Sequence, residues 1–147
     1  MNKRLVLRLL GAILLIEALA MAPSLAISFL YGDGDALALL SSMALLAALG
    51  FPAWRFAHPR EQNLRAREGF LVVALSWVLL SAFGALPFVI SGLIPNYIDA
   101  FFEAVSGFTT TGATLMGNFD GLPRGVMFWR SFTHWIGGMG VLVLTLA

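Results

Sequence analysis

An uncharged polar stretch, GFTTTGAT at Gly107 to Thr114, stands inside a chain of which 59% of the residues are hydrophobic and only 12% are charged. It offers closely spaced main-chain carbonyls and threonine hydroxyls, but no acid, base or thiol. Rings of such carbonyls replace the hydration shell of a cation in ion-selective pores. Gly112 tolerates backbone dihedral angles that a side chain would forbid, so neighbouring carbonyls can turn toward a common path. The stretch is therefore a candidate cation site.

Composition excludes several other kinds of chemistry. The 147 residues include no cysteine, which excludes disulfides, thiolate metal sites and cysteine nucleophiles. A net charge of +1 is too small to suggest nucleic acid as a partner. The mean hydropathy is +0.87, and the charged residues cluster between long apolar blocks. This pattern is typical of a polytopic membrane protein.

Four apolar blocks are long enough to cross a membrane. Each has about 19–23 residues, and a helix of that length spans a hydrocarbon core of about 30 Å. A cleaved signal peptide is the alternative for the first block, but Glu17 interrupts the apolar run and Pro23 would directly follow the cleavage site. We therefore expect transmembrane helices at Leu9–Tyr31, Ala36–Trp54, Gly69–Ile90 and Gly125–Ala147.

Clustered basic residues predict the orientation. Lysine and arginine are concentrated before the first block and between the second and third, so both segments can face the cytoplasm together. The acidic turn with Asp33 and Asp35 then faces the outside. The basic connection could also bind anionic lipid or a cytosolic partner. The basic residues are Lys3, Arg4, Arg8, Arg55, Arg60, Arg65 and Arg67.

A half-length helix is predicted just before the polar stretch. Asn96 can cap it, and the apolar run 97–108 has about twelve residues, which extend for about 18 Å, or half a bilayer. Turn-rich segments at 91–95 and 118–124 lie on both sides, which predicts a re-entrant loop. Non-helical backbone at membrane depth persists only when it is buried in protein or lines a water-filled path. The negative end of the helix dipole would favour a cation at this loop.

The strings FFEAVSGFTTTGAT and LPRGVMFWRSFTHWIGGMGVLVL resemble the first M1-P-M2 unit of the Trk/Ktr/HKT superfamily, specifically its TrkH/TrkG-type bacterial potassium uptake proteins. The resemblance covers the whole chain, because that branch has two helices before its first unit. It implies an all-α membrane protein, with two N-terminal transmembrane helices plus one potassium-channel-like M1-P-M2 unit and its re-entrant pore loop. The implied segments are a two-helix hairpin (1–54), a basic cytoplasmic loop (55–68) and the unit at 69–147, which comprises M1 (69–90), the pore helix (97–108), the filter loop (109–115) and a truncated M2 (125–147).

The resemblance also implies the residues of the filter. Potassium would be coordinated by the carbonyls of Thr110, Thr111, Gly112 and Ala113, with the Thr110 hydroxyl as a further candidate. Thr114 takes the place of the second glycine in the channel motif TVGYG, which leaves the number of ion sites open. In the plant HKT branch, serine at the position of Gly112 goes with sodium transport. A plain surface loop between helices is the alternative. The supporting residues would be Thr109, Thr114, Glu103 and Arg130.

By the same resemblance, the chain is a pore-forming part of a Trk-type potassium transport system in the bacterial inner membrane, with its N-terminus in the cytoplasm. It would supply one of four filter loops as the N-terminal fragment of a longer protein. That protein would dimerise and bind TrkA-type cytoplasmic nucleotide-binding regulatory subunits. Potassium is the only ligand implied, without a cofactor, catalytic residue or nucleic acid. Two alternatives remain open, a short subunit of a homotetrameric channel and a purely structural or assembly subunit of the membrane.

Several polar residues in the apolar blocks have more than one interpretation. We expect Glu103 and Arg130 to form a partly buried ion pair rather than to reach water separately. His134 is interpreted as a hydrogen-bonding residue rather than a metal ligand, and Glu17 as facing another helix or a polar crevice rather than serving ion translocation. A membrane hydrolase using serine, His134 and Glu103 has no supporting motif such as G-x-S-x-G, so we do not expect an enzyme.

The GGMG segment at 137–140 predicts close helix packing, with a gating hinge as the alternative.

Overall fold

The chain folds into α-helices and their connections in the part that the structure describes. This computed structural model describes residues 2–57 and 65–146, with only the backbone for 143–146. The predicted all-α class is confirmed, whereas residues 58–64 of the predicted basic loop lie outside the described ranges. The helices are α1 (Lys3–Ala20), α2 (Ala22–Tyr31), α3 (Ala36–Phe56), α4 (Ala66–Gly84), α5 (Leu86–Ile90), α6 (Tyr97–Phe108) and α7 (Arg124–Leu146).

Three helical stretches are both long and apolar enough to cross a membrane, namely Lys3–Tyr31, Ala36–Phe56 and Ala66–Ile90. Each contains one of the first three predicted blocks and extends beyond it at a polar end, because hydropathy marks the apolar centre of a helix rather than its ends. The fourth block forms α7, which has 23 residues. Among the described helices, α7 is not one of these three, since two arginines and a histidine lower its hydropathy.

Two of these stretches contain a break, and a proline follows each. The breaks are single residues, Met21 between α1 and α2 and Ala85 between α4 and α5. Pro23 and Pro87 lie in the first turn of the second helix, where the missing N–H would have no intrahelical partner anyway. Met21 and Ala85 are fully buried, so both breaks lie inside the protein core.

Helix α1 packs most extensively on α3, and glycines set the distance between them. Gly32 has a φ of 68°, and the turn that it begins reverses the chain between α2 and α3. A Cβ on Gly11 would lie 2.7 Å from the Trp54 nitrogen and 2.8 Å from the Gly50 carbonyl oxygen. Such a close approach of two backbones requires small residues on both helices. The N-terminal hairpin is therefore a tight pair.

The N-terminus of α7 is capped by the turn between α2 and α3. Asp33 Oδ2 accepts a hydrogen bond of 2.9 Å from the Arg124 N–H, and Asp35 Oδ2 accepts one of 2.7 Å from the Val126 N–H, each across 91 residues of sequence. The Ser28 hydroxyl donates to the other Asp35 oxygen. The first N–H groups of a helix lack intrahelical partners and carry partial positive charge, which carboxylates stabilise. The acidic turn thus fixes this end of α7 to the N-terminal hairpin.

Replacement of Asp35 by alanine tests the cap. We expect the free energy of unfolding to fall by about 1–3 kcal/mol, because the buried Val126 N–H loses its acceptor. Thermal unfolding of the purified full-length protein in detergent measures the loss. Asp120→Ala is the matched control, because Asp120 is exposed and belongs to the loop before α7. Equal melting temperatures for the two variants would contradict the cap.

Candidate functional site

Helix α6 carries the predicted filter loop at its C-terminal end. The helix has 12 residues, the ones for which a half-length helix was predicted. The Asn96 side chain caps its start by accepting a 3.0 Å hydrogen bond from the Ile98 N–H. Ala104 and Phe108 are fully buried, and the helix packs against α4 and α7. The packing of α6 therefore holds Phe108, the residue before the loop, in place.

The C-terminal end of α6 is enclosed by glycines and a tryptophan. The Phe108 ring lies edge-on to that of Trp129, with 6.2 Å between ring centroids. Trp129 Nε1 donates a 3.0 Å hydrogen bond to the Gly84 carbonyl. Gly137 passes so close to Phe108 that a Cβ on it would overlap the Phe108 carbonyl oxygen and lie 2.7 Å from the carbonyl carbon. At Gly137, the first residue of the GGMG segment, these contacts favour close packing over a free hinge.

The loop after α6 enters the left-handed region twice. Thr110 has a φ of 58° and Gly112 a φ of 77°. Glycine adopts this conformation readily, whereas a β-branched threonine is strained in it. The N–H groups of Thr110 and Thr111 donate 2.9 Å hydrogen bonds to the carbonyls of Gly107 and Ser106, so both are directed toward α6. Within residues 2–57 and 65–146, no hydrogen bond reaches the carbonyl oxygens of Thr110, Thr111 or Gly112. Three carbonyls are thus available to another ligand.

The Ala113 carbonyl differs from the other three predicted ligands. It accepts a 2.6 Å hydrogen bond from the Ser106 hydroxyl. Ser106 is buried on α6, so this bond directs the carbonyl toward the helix and uses one of its two lone pairs. Sequence reasoning did not identify Ser106. The available signal was a serine close to the end of an otherwise apolar half-helix.

The threonine hydroxyls bond within the loop and to the end of α6. Thr109 Oγ1 donates to the Val105 carbonyl at 2.7 Å and lies 2.8 Å from Thr111 Oγ1. The Thr110 hydroxyl donates to the Thr109 carbonyl at 2.7 Å. Thr114 Oγ1 accepts a 3.1 Å bond from the main chain two residues further on. The hydroxyls therefore brace the loop, while the Thr110 oxygen keeps a lone pair for a cation.

Glu103 joins α6, α7 and the end of the loop. Its Oε1 accepts a 2.6 Å hydrogen bond from Arg130 Nε, so the two residues form an ion pair, and its Oε2 accepts a 3.1 Å bond from the Leu115 N–H. The Arg130 guanidinium also lies 5.3 Å from the Phe119 ring centroid. His134 Nδ1 is 3.0 Å from the Arg130 carbonyl, which is a hydrogen-bonding position. The carboxylate on α6 therefore holds both the last residue of the loop and helix α7.

The loop is open on its remaining side. Residues 109–115 are all exposed in the described part of the chain. A Cβ on Gly112 would meet no atom within 4 Å. The described residues include no group of three or more histidine, aspartate or glutamate side chains that could hold a metal ion. The oxygens offered at this place are those of the main chain and of threonine.

Comparisons with known proteins agree with this architecture. The TrkH family, described as a cation transport protein, matches residues 37–147. The whole chain is 39% identical to a Trk system potassium uptake protein TrkH of Halomonas elongata and 38% identical to one of Escherichia coli. In both comparisons it covers 31% of the relative, so the chain spans about a third of the length of these curated relatives.

A solved structure has the same fold. The potassium transporter TrkH from Vibrio parahaemolyticus superimposes with a TM-score of 0.92 at 36% sequence identity, over 99% of this chain and 31% of that chain. Together with the three apolar spans, the match indicates a multi-pass membrane protein. The chain therefore belongs to the TrkH family of cation transport proteins.

Proposed function

We propose that the chain supplies a filter loop to a potassium-selective pore, with the main-chain oxygens of Thr110, Thr111 and Gly112 as ion ligands and that of Ala113 as a fourth through the lone pair that Ser106 leaves free. One observation carries the proposal. The loop N–H groups bond to α6, whereas three of the four carbonyls receive no hydrogen bond within the described ranges. Carbonyls of this kind can replace the water around a potassium ion. The relatives are named Trk system potassium uptake proteins, which supports potassium as the ion.

The electrostatics of α6 favour a cation at the same place. Its C-terminus carries about half an elementary negative charge, directed at the loop. No charged residue occurs between Glu103 and Asp120, and the Glu103 charge is paired with Arg130. The loop therefore attracts a cation through dipoles and carbonyls rather than through a full negative charge. Such moderate attraction lets an ion enter and also leave, as conduction requires.

One loop does not enclose a pore. We propose that α4 and α5 together are M1, that α6 is the pore helix and that α7 is M2 of a unit that begins with α4, and that four such units surround the ion path. The other units would come from residues outside this chain, because the relatives are about three times as long. The complete protein would lie in the inner membrane of a bacterium with its N-terminus in the cytoplasm, dimerise and bind TrkA-type regulatory subunits. Ion passage would involve no covalent chemistry.

The variant Gly112→Ser in the full-length protein tests the filter. Gly112 has a φ of 77° in open space, so the serine side chain fits but the left-handed backbone costs about 1–2 kcal/mol. About 1.4 kcal/mol corresponds to a tenfold change in an equilibrium constant. Relief of this strain would shift the carbonyls around Gly112, so we expect the preference for potassium over sodium to fall by up to about tenfold. Uptake of both ions into transport-deficient cells measures the preference.

Gly121→Ser is the matched control. Gly121 has a φ of 75° and open space around it, but it lies outside the filter loop. The control should cause similar backbone strain and leave the ion preference unchanged. If Gly112→Ser also kept its preference, or if the control lost it equally, the filter assignment would be wrong. A structural subunit with a plain surface loop would then be favoured.

A further inference from the structure

Glu17 is a buried acid that the proposed ion path does not use. It lies one turn before the end of α1 and is 2% exposed. Neither carboxyl oxygen has a hydrogen-bond partner among the described residues, and each has less than 1 Å² of accessible surface. Both oxygens are therefore covered by the described residues without being paired by them.

The surroundings of Glu17 are apolar. Its side chain forms part of the wall of a cavity of about 470 Å³ that is open on one side, and the ten other lining residues carry no titratable group. Among them are Ile13 of α1, Leu80 of α4, Phe108 of α6 and Trp135 of α7. The cavity thus lies where α1 meets the helices of the proposed pore unit.

No charged residue of the neighbouring helices bonds to Glu17 in the described ranges. On α6 and α7, Glu103 is paired with Arg130, and His134 contacts the Arg130 carbonyl. Asp99 lies near the opposite end of α6 from Phe108. On α3 and α4 the charged residues are Arg55, Arg67 and Glu68, and the contact of Glu68 with the Asn2 nitrogen places it near the start of α1. α2 carries no acidic or basic residue.

The carboxyl group lies beside both helix breaks. One turn beyond it, α1 ends at the Met21 break. Glu17 Oε1 lies 3.1 Å from the position that a Cβ on Gly84 would occupy, and the Phe108 ring lies 2.7 Å from the same position. Gly84 is the last residue of α4, and its carbonyl holds Trp129. Glu17 is therefore in contact with Gly84, and Gly84 in turn contacts Phe108 of α6 and Trp129 of α7.

An ionised carboxylate without a partner is strongly unfavourable in an apolar membrane interior. A glutamate in water is ionised at neutral pH. We propose that Glu17 is a proton-binding site, which holds a proton in this conformation and loses it only when the contacts around Gly84 open. Opening would displace Phe108, from which the filter loop starts. Ion passage would therefore depend on the protonation of Glu17, and this last step rests on the proposed function.

Infrared spectroscopy of the full-length protein in lipid vesicles tests proton binding directly. The carbonyl band of a protonated carboxylic acid should be present at neutral pH, be lost in Glu17→Gln and persist in Asp120→Asn, which removes an exposed acid. Glutamine keeps the shape of the neutral acid, so the variant should fold. A band unchanged by Glu17→Gln would overturn the proposal. This measurement needs no transport, so it is independent of the filter test with Gly112→Ser.

Potassium flux across a range of pH tests the coupling. The wild-type flux should fall as the pH rises and Glu17 loses its proton, whereas the Glu17→Gln flux should remain within twofold of its value at acid pH. The Asp120→Asn variant should follow the wild type. An identical pH profile in the wild type and Glu17→Gln would overturn the coupling to ion passage.

Discussion

Glu103→Ala is expected to destabilise the protein by about 3 kcal/mol and to disturb the loop at 109–115, which we propose as a filter loop. Removal of one partner from a buried ion pair typically costs about 3–5 kcal/mol, because the other charge is left unpaired. We place the value at the lower end because 15% of the Arg130 side chain is exposed. The Leu115 N–H also loses its acceptor, which releases the end of the loop. Thermal unfolding in detergent measures the first effect, and potassium uptake measures the second.

Two further variants separate the roles of Glu103. Glu103→Gln removes the charge but keeps an oxygen that can accept the hydrogen bond from the Leu115 N–H. This variant should therefore lower the thermal stability but reduce potassium uptake less than Glu103→Ala does. Asp99→Asn removes an acid from the first turn of the same helix, where no ion pair occurs within the described ranges; it should lower the stability by less than about 1 kcal/mol and leave uptake unchanged. The double variant Glu103→Ala with Arg130→Gln should lose less stability than the sum of the losses of Glu103→Ala and Arg130→Gln measured singly. Strict additivity would show that the two charges do not interact.

Gly137→Ala is expected to have the second large effect. The added Cβ would overlap the Phe108 carbonyl oxygen and lie 3.0 Å from its Cα, and a backbone cannot move aside as a side chain does. Overpacking of this kind costs about 1–3 kcal/mol. Because Phe108 is the last residue of α6, separation of α6 from α7 would also move the start of the proposed filter loop. We therefore expect reduced thermal stability together with a loss of potassium uptake.

Gly138→Ala is the control for this variant. It lies next along α7, and the nearest atom to its added Cβ would be Thr110 Cγ2 at 3.9 Å. Alanine is favoured over glycine within a helix by about 0.5–1 kcal/mol, so this variant should be as stable as the wild type or more so. If Gly138→Ala instead abolished uptake in a stable protein, flexibility at the GGMG segment would matter, and the hinge interpretation would be favoured.

The short helix α6 could be predicted from the sequence, because its signals are local. Asn96 is a strong capping residue, and the apolar run that follows ends at a polar stretch. The ion pair of Glu103 and Arg130 also followed from a simple argument, since each charge in an apolar segment needs a partner. The breaks at Met21 and Ala85 had a signal in Pro23 and Pro87, but apolar runs across both positions obscured it.

Other features depend on contacts between distant residues, which local patterns do not encode. The caps that Asp33 and Asp35 provide for α7 join residues 91 positions apart. The bond from Ser106 to the Ala113 carbonyl depends on how the loop folds back on α6. The left-handed conformation of Thr110 is rare for a β-branched residue, so propensity argues against it. Such details appear only when the surrounding structure imposes them.

The capping of α7 by the Asp33 and Asp35 turn has a consequence for synthesis. A chain leaves the ribosome from its N-terminus, so α1, α2 and α3 are complete before α7 is made. The newly made α7 then meets two carboxylates already in place for its first N–H groups. Without these carboxylates the first N–H groups of α7 would have no side-chain acceptors, and α7 is not one of the three described stretches that are long and apolar enough to cross a membrane. The N-terminal hairpin would thus be ready to hold the first turn of α7 in place as soon as that helix is made.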